Sequence, residues 1–219
     1  MSVTRWCRVP VFAVVLAPFA CSDGGGTEPP GPPAQVLKSG GDNQAWYFDN
    51  PLPIPYEVRV TDAASRAVPG VVVTWAVMAG GGSLSAAHST TAANGTATTV
   101  PTLGPSEPMQ TVTATVASLP PVTFTADAAA PPTTAGVTVA NNFFSPRDVV
   151  VQQGGTVTWT WSSGGVVHNV TYTSGPTPRP TGSGTIGTGD HSSVITVVGR
   201  YGYACTLHAG MTGTVTVVN

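Results

Sequence analysis

Short runs in which apolar residues alternate with threonine or charged residues recur along most of the chain. The clearest run is Thr156–Trp161, where Val157, Trp159 and Trp161 take alternate positions and threonines take the others. A period of two is typical of a half-buried β-strand, because successive side chains of a strand point to opposite faces of the sheet. Glycine, proline and asparagine turn signals separate the runs, and no convincing amphipathic helix follows residue 21. The pattern therefore predicts an all-β protein.

Two breaks divide the predicted strands into two groups. Residues 21–33 form a Gly/Pro-rich linker, and a second break falls at residues 128–134. A length of 219 residues suits two small domains. We therefore predict two β-sandwich domains, at residues 34–130 and 131–219, because short strands at regular spacing are typical of sandwiches. The strands of the first are predicted at residues 56–60, 71–77, 96–100, 111–116 and 122–126.

The second domain is predicted to contain a long loop and one hairpin. Residues 174–189 are rich in Gly, Pro and Thr and are predicted to be the loop. Strands 148–151 and 156–161 are expected to face each other across the turn at residues 152–155. The remaining strands of this domain are predicted at residues 137–139, 166–172, 192–197, 201–205 and 214–218.

The low content of charged residues excludes some classes of binding partner. Only 8% of the residues are charged, and the formal net charge is −2. No basic surface indicates nucleic-acid binding, and no acidic tract indicates a solvating tail.

The first twenty residues have the pattern of an export signal. Arg5 and Arg8 form a positive region, and the apolar run at residues 9–20 is shorter than the about 20 residues that span a bilayer. We predict a signal peptide at residues 1–20 and an exported protein of the bacterial cell envelope.

Cys21 follows this signal directly. Cleavage before Cys21 would leave an N-terminal cysteine ahead of a Gly/Pro-rich tether, which resembles a bacterial lipoprotein. Ala20 fits that pattern, whereas Pro18 and Phe19 depart from it. The resemblance implies lipidation of Cys21 and a membrane anchor at the periplasm or cell surface; ordinary secretion stays open as the alternative.

The chemistry of the chain is concentrated near its C-terminal end. With Cys7 inside the signal and Cys21 assigned to the lipid, Cys205 is the one cysteine left in the folded part and has no disulfide partner there. His208 and Met211 follow it at steps of three residues, and His168 is the obvious fourth donor. Thiolate, two imidazoles and a weak thioether are the ligands of an electron-transfer copper site, so we predict one mononuclear type 1 copper centre.

The first domain resembles bacterial immunoglobulin-like domains of the invasin/intimin type over roughly residues 34–128. Such modules serve as stalks, spacers and adhesive units, so the resemblance indicates fold rather than function. Trp75 is predicted to lie in the core, and His88 to be a solvated side chain in a loop. The phrases that carry the resemblance are Val60-Thr61-Asp62, Val68-Pro69-Gly70-Val71, Val73-Thr74-Trp75, Gly80-Gly81-Gly82-Ser83-Leu84, Ala93-Asn94-Gly95-Thr96-Ala97, Gln110-Thr111-Val112-Thr113-Ala114 and Val122-Thr123-Phe124.

The second domain resembles a cupredoxin of the plastocyanin/amicyanin type, with a Greek-key sandwich. The phrases are Asn142-Phe143-Phe144-Ser145-Pro146, Gly155-Thr156-Val157-Thr158-Trp159, Val167-His168-Asn169-Val170 and the run from Tyr203 to Val215, whose Cys-x2-His-x2-Met loop is the short amicyanin form. The resemblance implies copper ligation by His168, Cys205, His208 and Met211.

The same resemblance implies two further roles. Asn169 would steady the loop that carries the thiolate. His208 would be the electron port, surrounded by an apolar patch to which Leu207, Ala209 and Gly210 contribute. We therefore expect an envelope blue copper protein that carries single electrons between redox proteins. Two alternatives stay open, namely copper binding or delivery without electron transfer, and an adhesive or structural surface protein with a vestigial copper domain.

Enzymatic chemistry is not expected. A binuclear copper site needs a second bridging cysteine, and a trinuclear oxidase centre needs more histidines than His191 and His88, of which His191 is predicted to be exposed. Nucleophilic catalysis by Cys205 with His208 as base lacks an orienting acid.

Overall fold

The computed structural model describes residues 28–219. The predicted signal peptide at residues 1–20, Cys21 and the first part of the linker lie outside the described residues. Within them the chain forms eighteen β-strands and no α-helix, which confirms the all-β prediction. A helix long and apolar enough to cross a membrane is not found in this part of the chain.

The first ten strands build one sandwich. One sheet has the order β1-β3-β7, the other has the order β2-β10-β9-β4-β6, and β5 pairs with β8. These strands are β1 Gln35–Gly40, β2 Gln44–Tyr47, β3 Tyr56–Thr61, β4 Val72–Ala79, β5 Ser83–Leu84, β6 His88–Thr90, β7 Thr96–Thr99, β8 Pro101–Thr102, β9 Met109–Thr115 and β10 Val122–Ala129.

The core between these sheets is aromatic and β-branched. Tyr56 stacks on Phe124 with ring centroids 4.5 Å apart, and Trp75 lies against the same phenyl ring. Trp75 is 2% exposed, which confirms its predicted place in the core. His88 begins β6 rather than lying in a loop, and its exposed ring is 3.2 Å from the hydroxyl of Thr74.

All five strands predicted for this sandwich are confirmed, but β1, β2, β5, β6 and β8 were not predicted. Three of the missed strands, β1, β2 and β6, are edges of their sheets. Edge strands bury few side chains, as the single fully buried residue Val36 of β1 shows. Without a buried face there is no alternating pattern in the sequence to detect.

The remaining eight strands build a second sandwich. Its sheets have the orders β12-β11-β14-β16 and β13-β18-β17-β15. Trp159 lies at the centre of its core, with its ring edge-on to those of Tyr203 and Tyr172. The strands are β11 Thr134–Ala140, β12 Phe143–Ser145, β13 Asp148–Gln152, β14 Thr156–Trp161, β15 Thr171–Tyr172, β16 Gly189–Val194, β17 Gly199–Ala204 and β18 Thr212–Val218.

The expected hairpin between β13 and β14 is wrong. The two strands lie in different sheets: β13 pairs in parallel with β18, and β14 pairs in parallel with β11 and antiparallel with β16. The turn at residues 152–155 therefore carries the chain from one sheet to the other. Alternation identifies the buried face of a strand but not the strand with which it pairs. A tight turn between two predicted strands favours the prediction of a local hairpin.

The predicted strand at residues 166–172 is also mostly wrong. Only Thr171–Tyr172 is a strand, and His168 makes an isolated antiparallel bridge with Ile186. Ile186 belongs to the predicted Gly/Pro/Thr loop, so this loop pairs with the chain around His168.

The topology places the predicted ligands at one end of the second sandwich. His168 follows β14, and Cys205 follows β17 directly. At the other end, where β11 and β14 begin, Asn219 contacts the first sandwich. Its N–H donates to Asn50 Oδ1 at 2.9 Å, and the Asn50 amide donates back to its carbonyl at 3.3 Å. The length of β18, seven residues at about 3.3 Å each, separates the two ends.

Asp62 organises the start of the first sandwich. Its carboxylate is 2% exposed and accepts N–H groups from Gly31, Ala64 and Arg66 at 2.8 to 2.9 Å, together with the Arg66 guanidinium. The Gly31 N–H, and then the donors of Arg66 and Ala64, lower the pKa of Asp62 to about 2.

We expect this carboxylate to give the first sandwich an acid-dependent stability. Because the folded-state pKa lies below the unfolded value of about 3.9, the stabilisation is complete above pH 4 and is lost as the pH falls towards about 2. Asp62→Asn should reduce the melting temperature at pH 7 and flatten its fall between pH 4 and 2. Melting followed by NMR signals of Phe124 and Trp75 measures both effects. Identical acid profiles in the two proteins would contradict this role.

Candidate metal centre

The loop after β17 folds back on itself and buries two sulfur atoms. The N–H of Cys205 donates to the carbonyl of Met211 at 3.0 Å, and the N–H of Met211 donates to the carbonyl of His208 at 3.3 Å. Gly210 takes φ = 82°, a left-handed conformation that closes the turn at little cost for glycine. Cys205 is 4% and Met211 1% exposed, so the loop directs both side chains into the end of the core.

His168 reaches the same place from the opposite sheet. The turn after β14 is closed by the Ser163 hydroxyl, which donates to the carbonyl of Val166 at 2.6 Å. His168 and Ile186 then exchange backbone hydrogen bonds in both directions, at 2.9 and 3.0 Å. The imidazole of His168 is completely buried.

Three donor atoms converge at this end of the sandwich. Cys205 Sγ lies 3.4 Å from His208 Nδ1 and 3.8 Å from His168 Nδ1. The two imidazole centroids are 4.5 Å apart, and the three ligand atoms lie within 4.8 Å of one another. Two ligand atoms each about 2.0 to 2.3 Å from one metal ion are about 3.3 to 4 Å apart at trigonal or tetrahedral angles. The donor set therefore fits a single ion.

Burial favours the metal-binding form of His168. Loss of solvent, and then the nearby His208 ring, lower the pKa of His168 from its ordinary value of 6.5, so the ring is neutral at pH 7. Its Nδ1 points at the sulfur atom, so metal binding through Nδ1 requires the proton to be on Nε2. In the part of the chain that the structure describes, this buried Nε2 has no hydrogen-bond partner.

The comparisons with known proteins agree with this geometry. Residues 133–218 match the family of copper binding proteins of the plastocyanin/azurin type. The second sandwich is a cupredoxin domain. Its cofactor is one copper ion, for which His168, Cys205, His208 and Met211 are the gathered donors.

Part of the chain is also similar to several solved structures. A purple cupredoxin from Nitrosopumilus maritimus is 29% identical and matches 38% of this chain and 99% of its own, with a TM-score of 0.35. A reduced amicyanin mutant is 27% identical over 39% of this chain and 82% of its own (TM-score 0.35). Plastocyanin from Dryopteris crassirhizoma is 24% identical over 38% and 99% (TM-score 0.32). A search of the curated proteins finds no match.

The family match concerns the second sandwich. The resemblance of the first sandwich to immunoglobulin-like domains stays a prediction with which the fold is compatible.

In the cupredoxin domain, Asn169 connects the two ligand-bearing segments. Its backbone N–H donates to Cys205 Sγ at 3.5 Å. Its side-chain amide donates to the Thr206 hydroxyl and accepts the Thr206 N–H, both at 2.8 Å. The structure thus places Asn169 where the family resemblance implied, between the His168 segment and the thiolate loop.

Three large apolar side chains are exposed beside the ligands in sequence. They are Val166, Val167 and Leu207, at 38, 48 and 49% exposure, whereas His208 is half-buried and the neighbouring Thr206 is also exposed. Leu207, Ala209 and Gly210 were expected in this patch, whereas the two valines were not, because they were predicted to lie in a strand. Their position one and two residues before a predicted ligand was the available signal.

His191 lies away from the three donors and is half-buried rather than exposed. Its Nε2 lies 3.2 Å from the Thr181 carbonyl and 3.1 Å from the Ser193 hydroxyl, and its ring lies against Trp159. The expected exposure was wrong, since alternation along β16 does not show that the neighbouring loop covers the ring.

We expect Asn169→Ala to destabilise the cupredoxin domain by about 1 to 3 kcal/mol. The change removes both hydrogen bonds between the Asn169 side chain and the exposed Thr206, while the Asn169 N–H to the Cys205 sulfur remains. Chemical unfolding of the metal-free protein measures the loss. Asn141→Ala, in the exposed turn after β11, is the matched control and should change stability by less than about 0.5 kcal/mol. Equal losses in both variants would contradict this assignment.

Proposed function

We propose that this protein is an exported electron carrier that passes single electrons between redox proteins and catalyses no reaction of its own. The observation that carries the proposal is the convergence of one buried thiol and two imidazole Nδ1 atoms within 3.8 Å of the sulfur atom. Donors already gathered by the fold need little rearrangement when the oxidation state of a bound ion changes. Small rearrangement is what a one-electron carrier requires.

Each ligand residue has a distinct task. Cys205 binds as the thiolate, His168 and His208 supply neutral imidazoles, and Met211 offers a weak thioether. Copper, when bound, supplies a one-electron couple between Cu(I) and Cu(II). Burial of His168, Cys205 and Met211 keeps water from the donors, and the Asn169 N–H withdraws electron density from the sulfur.

His208 is the proposed route for electrons. It is the only one of the three gathered nitrogen and sulfur donors with appreciable exposure. The exposed apolar side chains beside the ligands in sequence, Val166, Val167 and Leu207, offer a surface that a partner can cover without displacing charges. Docking there is expected to depend weakly on salt.

Cell-envelope placement is the second part of the proposal. The signal pattern at residues 1–20 and the lipoprotein-like Cys21 support export and anchoring. The copper end of the cupredoxin domain lies opposite the end that contacts the first sandwich through Asn50 and Asn219. A first sandwich acting as a spacer would hold the site away from a membrane anchor.

Copper loading with spectroscopy tests the metal centre. Wild-type protein with one equivalent of Cu(II) should show an intense thiolate-to-copper absorption, and Cys205→Ser should abolish it because the thiolate is lost. An intense band that survives Cys205→Ser, or its absence in the wild type, would refute a thiolate copper site. Rapid metal loss together with slow electron self-exchange would instead support copper delivery.

A charge placed in the apolar surface tests the electron route. Val167→Glu should slow electron self-exchange by about tenfold at low ionic strength, since two like-charged copies must approach each other, and added salt should restore most of the rate. The thiolate absorption should not change. The matched control is Val194→Glu, because Val194 is 58% exposed and pairs with Thr156 at the far end of β14. Similar slowing by both variants would argue against docking at His208.

A further inference from the structure

The chain around His168 is held by a loop for which no role has been assigned. His168 belongs to no strand, and its buried Nε2 has no partner among the described residues. A metal-binding histidine is ordinarily oriented by a hydrogen bond from its second ring nitrogen. The orientation of His168 therefore depends on the packing of its ring and on the backbone of its segment, which bonds to Ile186 and Ser183.

Ser183 occupies the position where this pairing departs from a regular ladder. Two residues from the His168–Ile186 pair, a regular antiparallel ladder would join Val170 directly to Gly184. Instead, the Ser183 hydroxyl accepts the Val170 N–H at 2.9 Å and donates to the Gly184 carbonyl at 2.7 Å. The Ser183 N–H donates to the Val170 carbonyl at 3.0 Å. One hydroxyl thus replaces a missing backbone hydrogen bond.

The loop approaches this segment closely on both sides of Ser183. A Cβ at Gly182 would collide with the Val170 carbonyl, and one at Gly187 would lie 2.7 Å from the Gly165 carbonyl. Both glycines therefore let the loop backbone come within hydrogen-bonding distance. The segment from His168 to Val170 is held at one end by Ile186 and at the other by Ser183.

We propose that Ser183 is a positioning residue of the copper site. It fixes the segment in which His168 presents its imidazole and Asn169 donates its N–H to Cys205 Sγ. Without the hydroxyl, the Val170 N–H loses its partner, and this end of the segment keeps only the hydrogen bond from the Ser183 N–H to the Val170 carbonyl. Both contacts to the sulfur then loosen together. The effect of Ser183 on a copper site rests on the proposed function, whereas its effect on residues 168–170 depends only on the metal-free fold.

Amide hydrogen exchange of the metal-free protein tests whether the Ser183 hydroxyl holds residues 168–170 in place. In Ser183→Ala the N–H groups of His168, Asn169 and Val170 should all exchange about tenfold faster, as expected for the loss of one hydrogen bond. Ser183→Thr, which keeps the hydroxyl, should restore the slow exchange. Faster exchange at Val170 alone would overturn the proposal, because the hydroxyl would then serve only its direct partner.

The reduction potential of the copper-loaded protein tests whether Ser183 affects the contacts to the Cys205 sulfur. A weaker N–H to sulfur hydrogen bond leaves more electron density on the thiolate and favours Cu(II). Ser183→Ala should therefore lower the potential and shift the thiolate absorption, and Ser183→Thr should reverse both changes. An unchanged potential, or a change that Ser183→Thr does not reverse, would overturn the positioning role.

Ser174→Ala is the matched control. Ser174 lies in the same loop, and its hydroxyl likewise accepts one backbone N–H, that of Gly202 at 3.2 Å, but it contacts neither His168 nor Asn169. Ser174→Ala should leave the amide exchange of residues 168–170 and the reduction potential unchanged. An effect equal to that of Ser183→Ala would show that the loss of any hydrogen bond in this loop has the same result, and would overturn the specific role of Ser183. Should the wild type show no thiolate absorption, the proposed function fails, while the exchange measurement still decides the role of Ser183.

Discussion

The contact between Trp159 and Tyr203 sets the geometry on which the metal centre depends. Trp159 lies on β14, which leads to His168, and Tyr203 lies on β17, two residues before Cys205. Their rings meet edge-on with centroids 5.3 Å apart, and both are almost completely buried. Because the two residues belong to opposite sheets, this contact fixes the spacing of the sheets near the site. The distance from thiol to imidazole follows from core packing rather than from any bond between the ligands.

A metal centre whose ligands come from two sheets needs separate hydrogen bonds to hold the ligand-bearing segment of each sheet. On the β17 side the loop from Cys205 to Met211 is closed by its own backbone hydrogen bonds and by Gly210. On the β14 side the chain has left its strand before it reaches His168, and a distant loop supplies the pairing. Asn169 then joins the two sides through Thr206. Gathering polar donors in a core carries a desolvation cost, which these hydrogen bonds partly offset.

The sequence predicts those parts of the structure that leave a local pattern. Alternation identified β14 because Val157, Trp159 and Trp161 are all buried. The spacing of Cys205, His208 and Met211 identified the ligand loop because one short turn carries all three. The pairing of strands leaves no local pattern in the sequence. A hairpin of β13 and β14 was therefore predicted, although β13 pairs with β18 in one sheet and β14 pairs with β11 in the other. The role of Ser183 could not be predicted for the same reason, since Ser183 lies in a Gly/Pro/Thr loop and its hydroxyl bonds to the backbone of a distant segment.

The surface of the cupredoxin domain fits a carrier that must release its partners quickly. Electron-transfer encounters use small interfaces, below about 1,200 Å² of buried surface. The exposed apolar side chains of Val166, Val167 and Leu207, with the half-buried His208, would provide a contact of that modest kind. With 8% of its residues charged, the chain has little means of steering partners from a distance, so its association rates should be those of weakly steered proteins. Selection among partners would then depend on the shape of the apolar surface, which Val166 and Val167 set together with the segment that carries His168. The residues that position this ligand therefore also shape the surface that we propose as the route for electrons.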